Sequence, residues 1–324
     1  MEWPEIFQVA TCSLGFITLS KALIYFVRWV WIMFLRPPKN LKTYGSWAIV
    51  TGSTDGIGKA ISLELASKGL NILLVGRNPQ KLEATSKEIR DTHGGSVEVK
   101  LVVIDFETIN GEEIVRKIRE ATQGLDVGVL VNNVGMASPY PRFFHEDDLE
   151  FMEAIIKVNL EAATWVTKAV IEGMIRKKKG AIVNIGSGSC SMIPSYPLCT
   201  LYAATKAYFW MFSKCIGLEY KSQGIDVQCQ VPMLVATKMV KLKTSLFIPT
   251  AKDYSKGCVR WFGYHESLCV PYLLHSLQCL LLRMVPHSLV NWHLMRQHLY
   301  MRKRGIAKYS KLKALQESQV NNNN

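Results

Sequence analysis

The chain has 324 residues, 48% of them hydrophobic and 20% charged, with a formal net charge of +13. This composition excludes a disordered or collagen-like chain, and the length allows one large domain or two small ones. Eight scattered cysteines with no CxxC pair exclude a zinc ribbon and a disulfide-dense secreted scaffold, and no metal is expected.

The first predicted element is the apolar run LGFITLSKALIYFVRWVWIMFL, residues 14–35. As a helix its length would be about 33 Å, enough to cross a bilayer core. Lys21 and Arg28 interrupt it, and Trp29, Trp31 and Arg36 suit an interfacial anchor. Arg36, Lys39 and Lys42 follow it, which by the positive-inside rule places the rest of the chain in the cytosol.

From residue 47 short apolar runs alternate with amphipathic stretches. Strands are predicted at 47–52, 71–76, 97–106, 127–135, 181–189 and 225–232. Helices are predicted at 58–68, 79–90, 112–122, 149–176 and 201–221. Nearly continuous apolar strands separated by helices imply a parallel sheet covered on both faces. Right-handed crossovers then make an α/β, doubly wound Rossmann fold with its ligand at the carboxyl ends of the strands.

A second apolar run, LCVPYLLHSLQCLLLRMV at 268–285, has Leu273, Leu277, Leu280 and Met284 at helical spacing. It reads as a membrane-dipping or domain-covering helix, and Arg302-Lys303-Arg304 follows it. Residues 1–45 carry +3, residues 281–324 carry +7, and the middle carries +3. The basic excess thus borders the apolar segments and reads as membrane-surface charge. No motif supports nucleic-acid binding. The expected organisation is an anchor at 1–43, a nucleotide-binding reductase domain at 44–250 and a membrane-associated helical extension at 251–324.

Between the first strand and helix stands Gly52-Ser53-Thr54-Asp55-Gly56-Ile57-Gly58. Glycines here permit a tight turn, close approach to a pyrophosphate and packing of helix on strand, while the helix N-terminus supplies N–H groups. The second strand ends in Arg77, where an NAD site usually carries an acid, and arginine suits a 2′-phosphate. NADP(H) is therefore expected. Asp105 ends the third strand and suits either the adenine amino group or a turn cap. Tyr202 and Lys206 stand four apart on one helix face, where an ammonium would lower the phenol pKa for acid-base work.

TGSTDGIG (51–58), NNVG (132–135), Asn159, Ser187 and YAATK (202–206) fall in order on these elements. Over residues 46–240 the chain resembles the short-chain dehydrogenase/reductase family. The resemblance implies that Tyr202 protonates a ketone oxygen and that Lys206 tunes Tyr202 and holds the nicotinamide ribose. It implies that a serine donates to the forming alkoxide, that Asn159 holds a relay water and that Asn133 lines the cofactor site. Ser187 ends the IGS of the fifth strand fifteen residues before Tyr202, whereas Ser189 has the commoner spacing of thirteen. Ser187 is taken as catalytic and Ser189 as substrate-binding, with extra residues accommodated at 194–198. The usual Pro-Gly after the sixth strand is Pro232-Met233 here, followed by Val235 and Thr237 as nicotinamide contacts.

LDVGVLVNNVG, YPRFFHE, RKKKGAIVNIGSGS, SQGIDVQCQVP and LVATKM are similar to very-long-chain 3-oxoacyl-CoA reductases, particularly plant ones. That resemblance implies NADPH-dependent reduction of long-chain 3-oxoacyl-CoA on the endoplasmic reticulum. It also implies a condensing enzyme, a dehydratase and an enoyl reductase as neighbours. The same subfamily includes 17β-hydroxysteroid dehydrogenases, so a steroid ketone is the enzymatic alternative and an elongase scaffold the non-enzymatic one. Arg176–Lys179 is read as a solvated turn or a contact for CoA phosphates.

Overall fold

A computed structural model describes residues 3–240, 242–264 and 266–322, with side chains described as far as Lys311. The chain divides into two compact units, Met1–Pro38 and Lys39–Asn324. The first is helix α1 (Trp3–Val30), which continues as a π-helical turn over Trp31–Leu35. Together they form one apolar helix of 33 residues, Trp3–Leu35, long enough to cross a membrane. It begins eleven residues before the apolar run that announced it, because residues 3–13 are good enough helix formers to extend it.

The second unit is built on seven parallel strands: β1 (Trp47–Thr51), β2 (Asn71–Gly76), β3 (Val99–Val103), β4 (Val127–Asn132), β5 (Gly180–Ile185), β6 (Ile225–Gln230) and β7 (Leu268–Cys269). Their order in the sheet is β3-β2-β1-β4-β5-β6-β7. Strand order therefore reverses between β1 and β4, the crevice where doubly wound sheets bind ligands. The helices are α2 (Gly56–Ser67), α3 (Pro79–His93), α4 (Gly111–Thr122), α5 (Leu149–Ile156), α6 (Ala162–Lys177), α7 (Thr200–Glu219), α8 (Ala251–Arg260), α9 (Leu273–Met284) and α10 (His287–Asn322).

Alternate strand residues feed two cores. Ala48, Val50, Ile72 and Leu74 pack against Ile61 and Leu65 of α2, Leu82 of α3 and Tyr254 of α8. Trp47, Ile49, Leu73 and Leu130 face the other way, against Ile114 and Ile118 of α4 and Val166 of α6. With both faces covered, every side chain of β1 is buried, which is why these strands read as unbroken apolar runs.

Three differences from the sequence reading bear on the site. The helix expected over 149–176 is interrupted by a π-helical segment, Lys157–Glu161, between α5 and α6. The boundary expected at residue 250 falls inside the folded body: Tyr254, Cys258 and Phe262 belong to the core, and β7 completes the sheet. Finally, the run at 268–285 is not one helix. Leu268–Cys269 is β7, and α9 starts at Leu273. α9 buries His275 and Cys279 and exposes Leu280, Leu281 and Met284, so much of its apolar surface faces outward.

Candidate active site

The glycine loop is set by β1 and held from β4. Gly52 and Gly56 take φ of 66° and 53°, conformations that favour glycine. A Cβ on Gly52 would come within 2.9 Å of the Val134 backbone. Asn133 donates from Nδ2 to the carbonyls of Thr51 (3.0 Å) and Gly52 (3.2 Å). Thr51 Oγ1 in turn accepts from the backbone N–H groups of Asn133 (3.0 Å) and Val134 (3.1 Å). Asp55 caps α2 by accepting from Gly56 N–H at 2.8 Å, and Lys238 pairs with it at 2.7 Å from the segment after β6. Burial disfavours the Asp55 carboxylate, yet the Lys238 and Gly56 hydrogen bonds hold its pKa below the ordinary value.

A cleft of about 370 Å³ joins this loop to the ends of β4, β5 and β6. Gly52, Thr54, Asp55, Gly56 and Ile57 line it, with Arg77 and Asp105 from the ends of β2 and β3. Asn133, Ser187, Tyr202, Lys206, Val235 and Thr237 complete it from the other side. Arg77 is 71% exposed and 3.6 Å from Glu107, so its guanidinium is accessible to an anion. Asp105 accepts from the Glu107 N–H at 3.2 Å, so it caps the turn while it also faces the cleft.

Other expected residues do not face the cleft. Ser53 is buried, with its hydroxyl on the Val75 carbonyl (3.3 Å). Gly58 packs so tightly that a Cβ would lie 2.3 Å from Gly52 O, so it shapes the loop from behind. Asn159 lies in the π segment and its amide is committed. Oδ1 accepts from Met136 N–H (2.7 Å), and Nδ2 donates to Met136 O (3.0 Å) and Thr205 Oγ1 (3.0 Å). The side chain expected to hold a relay water is instead a brace between the β4 end and α7.

Ser187 and Tyr202 line the cleft together, and Ser187 Oγ accepts from Ser189 N–H at 3.3 Å. Ser189 is not on the cleft, and its buried hydroxyl has no partner among the described residues. Desolvation pushes the Tyr202 phenol above its ordinary pKa, and the nearby Ser187 hydroxyl pulls it the other way. The lowering expected from Lys206 is not seen. Lys206 Nζ donates to Ile185 O at 3.0 Å, and burial lowers its own pKa to about 8. The residues at 194–198 are gripped by α10: Ser195 Oγ donates to Asn291 Oδ1 (2.7 Å) and His298 Nδ1 meets Pro197 O (2.6 Å).

A larger open hollow, about 650 Å³, lies at the amino end of β4 and is lined by Arg119, Asp126, Arg176 and Lys177. It sits at the opposite ends of the strands from the glycine loop. Lys177 there pairs with Asp126 at 2.5 Å, which makes the basic run a structural turn. Sequence reasoning missed the buried ladder beneath the site: Asn132 donates to Thr167 Oγ1 (2.9 Å) and Asn184 Oδ1 (2.8 Å), and Asn184 donates to Ser213 Oγ (2.8 Å). Polar residues in otherwise apolar strands were its signal.

A glycine loop at the switch point, facing a Ser-Tyr-Lys group across one cleft, defines a nucleotide-dependent oxidoreductase of the doubly wound class. Residues 46–245 match the short chain dehydrogenase family, and the chain belongs to it. It is 46% identical over 290 residues to a very-long-chain 3-oxoacyl-CoA reductase-like protein of Arabidopsis thaliana, covering 87% of this chain and 91% of that one. It is 42% identical over 236 residues to the very-long-chain 3-oxoacyl-CoA reductase of Mus musculus (72% and 73%). It is 43% identical over 257 residues to the inactive hydroxysteroid dehydrogenase-like protein 1 of Homo sapiens (78% and 76%). Among solved structures, a short-chain dehydrogenase from Sphingobium yanoikuyae in complex with NADPH superposes with a TM-score of 0.62 at 26% identity, covering 75% and 97%.

Proposed function

We propose that this protein is an NADPH-dependent reductase of long- and very-long-chain 3-oxoacyl-CoA, working at a membrane. The observation that carries the reading is the meeting of Ser187, Tyr202 and Lys206 with the glycine loop and Arg77 on one cleft. Similarity to 3-oxoacyl-CoA reductases over most of both chains supports this substrate class.

The cleft suits NADPH. Gly52 and Gly56 leave backbone exposed where a pyrophosphate would lie, and the α2 N-terminus points donors at it. Arg77 would hold the 2′-phosphate, Asp105 the adenine edge, and Asn133, Val235 and Thr237 the nicotinamide half. Bound NADPH supplies the hydride that reduces the ketone carbon. Ser187 donates to the ketone oxygen and stabilises charge as it develops there. Tyr202 O–H delivers the proton to that oxygen. Lys206 would hold the ribose.

The apolar helix Trp3–Leu35 serves as the anchor, and the outward apolar face of α9 with the Arg302-Lys303-Arg304 cluster of α10 as a second membrane contact. The endoplasmic reticulum, with the reductase body in the cytosol, fits this arrangement. Its neighbours there would be the condensing enzyme, dehydratase and enoyl reductase of acyl elongation. A steroid ketone is the alternative substrate, and an inactive relative keeps a non-catalytic scaffold as the contrasting reading. Detergent-solubilised protein given NADPH with a long-chain 3-oxoacyl-CoA, and separately with estrone, distinguishes them. NADPH oxidation with the acyl-CoA is expected. Turnover of estrone alone would overturn the substrate, and turnover of neither would favour the scaffold.

A further inference from the structure

After β6 the chain runs Pro232-Met233-Leu234-Val235 along the cleft. Pro232, Met233 and Val235 line the cleft, as do Thr237 and Lys238. His275, on α9, lies beyond the family-matched residues, is fully buried, and grips this stretch with both ring nitrogens. Met233 N–H donates to Nδ1 at 3.3 Å, and Nε2 lies 3.2 Å from Leu234 O. An amide N–H only donates and a carbonyl only accepts, so the contacts assign the proton to Nε2. Tyr254 and Tyr272 pack against the imidazole with ring centroids at 5.9 and 4.8 Å, which fixes its plane. Burial lowers its pKa to about 4, so the ring stays neutral and the bonding pattern holds at neutral pH.

The gripped stretch is coupled to the catalytic serine. Pro232 O accepts from Gly188 N–H at 2.8 Å, and Met233 Sδ packs where a Cβ on Gly188 would stand. Gly188 follows Ser187, which lines the cleft with Tyr202. Met233 replaces the family's usual glycine, and a bulkier, less adaptable residue here gives the histidine a fixed peptide to hold.

We propose that His275 is a positioning residue of the reductase site: it ties α9 to the start of the segment that follows β6 and sets the Met233–Val235 wall against the Ser187 turn. The C-terminal helices are thereby part of the active site, beyond their role as a membrane contact. The proposal rests on reading the cleft as the NADPH site.

The test uses the full chain in detergent, with His275→Leu, which removes both bonds, His275→Asn, which keeps an acceptor near the Nδ1 position, and His275→Gln, which keeps a donor near the Nε2 position. Three readouts are taken: NADPH Kd by fluorescence, kcat and KM with a long-chain 3-oxoacyl-CoA, and tryptic cleavage after Lys238 or Lys243 without cofactor. His275→Leu is expected to weaken NADPH binding about tenfold, lower kcat with a smaller change in KM, and speed cleavage, with Asn or Gln recovering part of each. Wild-type Kd, kcat and cleavage in His275→Leu would overturn the proposal. So would equal losses in all three variants with cleavage of the folded fraction unchanged. If the wild type binds no NADPH, the cofactor reading fails by itself, and the cleavage arm still decides the role of His275.

Discussion

Ser187 lines the same cleft as Tyr202 at the open end of β5, while the hydroxyl of Ser189, two residues on, is buried away from that cleft without a partner among the described residues. That placement supports Ser187 over Ser189 as the catalytic hydroxyl. Ser187→Ala should lower kcat by about 10²–10³-fold, the usual consequence of losing a donor to a developing oxyanion. Ser189→Ala should retain most of the activity, because it removes a buried hydroxyl that bonds nothing among the described residues. Steady-state kinetics of the two variants check this, and the reverse ranking would place the catalytic hydroxyl at Ser189.

Lys206 gives the site a measurable pH signature. Its pKa is lowered from 10.5 to about 8 by burial, so the folded state releases the proton earlier than the unfolded chain. Between these values the unfolded state binds more protons, and stability rises with pH. Below pH 8 both states are protonated and the penalty for burying the charge is fully present, on the order of 3 kcal/mol. Lys206→Met should lose activity, gain stability at pH 7 and lack this extra rise. Urea melts at pH 7, 8.5 and 10 read the difference, and parallel profiles for variant and wild type would contradict it.

Asn159 predicts a stability effect as well as a catalytic one. Replacing it with alanine strands the N–H and carbonyl of Met136 and leaves the Thr205 hydroxyl only its bond to Tyr202 O. Each buried group left unpaired costs about 1–3 kcal/mol, less what water recovers. Asn159→Ala should melt several degrees lower and bind NADPH more weakly, because Met136 lines the cleft. An unchanged melting temperature would mean the brace is dispensable.

The helix Trp3–Leu35 buries none of its most apolar window, so it needs an apolar surround. The expressed protein should remain in the membrane pellet through an alkaline carbonate wash and dissolve with detergent. Release by carbonate alone would mean the helix lies on the surface without spanning.

The sheet was legible because parallel strands buried on both faces write themselves as apolar runs, and six of seven strands did so. β7 escaped because its two residues, Leu268 and Cys269, merge with the apolar run that leads into α9. The π segment escaped because residues 149–176 keep helical periodicity on both sides of Asn159, and one extra residue per turn leaves no compositional mark. The leucine spacing of α9 left a membrane-dipping and a domain-covering helix both open; Leu280 and Met284 are 54% and 78% exposed while His275 is buried. The site's chemistry was legible at Tyr202, Lys206 and the glycine loop, where motif and element coincide. Its bracing was not. Asn159 meets Met136 and His275 meets Met233 only after the chain has folded, and no local pattern records such pairs.

The most direct test of the account follows the hydride and the proton together. The full chain in detergent is given NADPH deuterated at both C4 positions and a long-chain 3-oxoacyl-CoA, and the product is read by mass spectrometry for wild type and Tyr202→Phe. The account predicts 3-hydroxyacyl-CoA carrying one deuterium on C3 from the wild type, and no product from Tyr202→Phe although it binds NADPH normally. No labelled product from the wild type, or equal labelling from Tyr202→Phe, would contradict it.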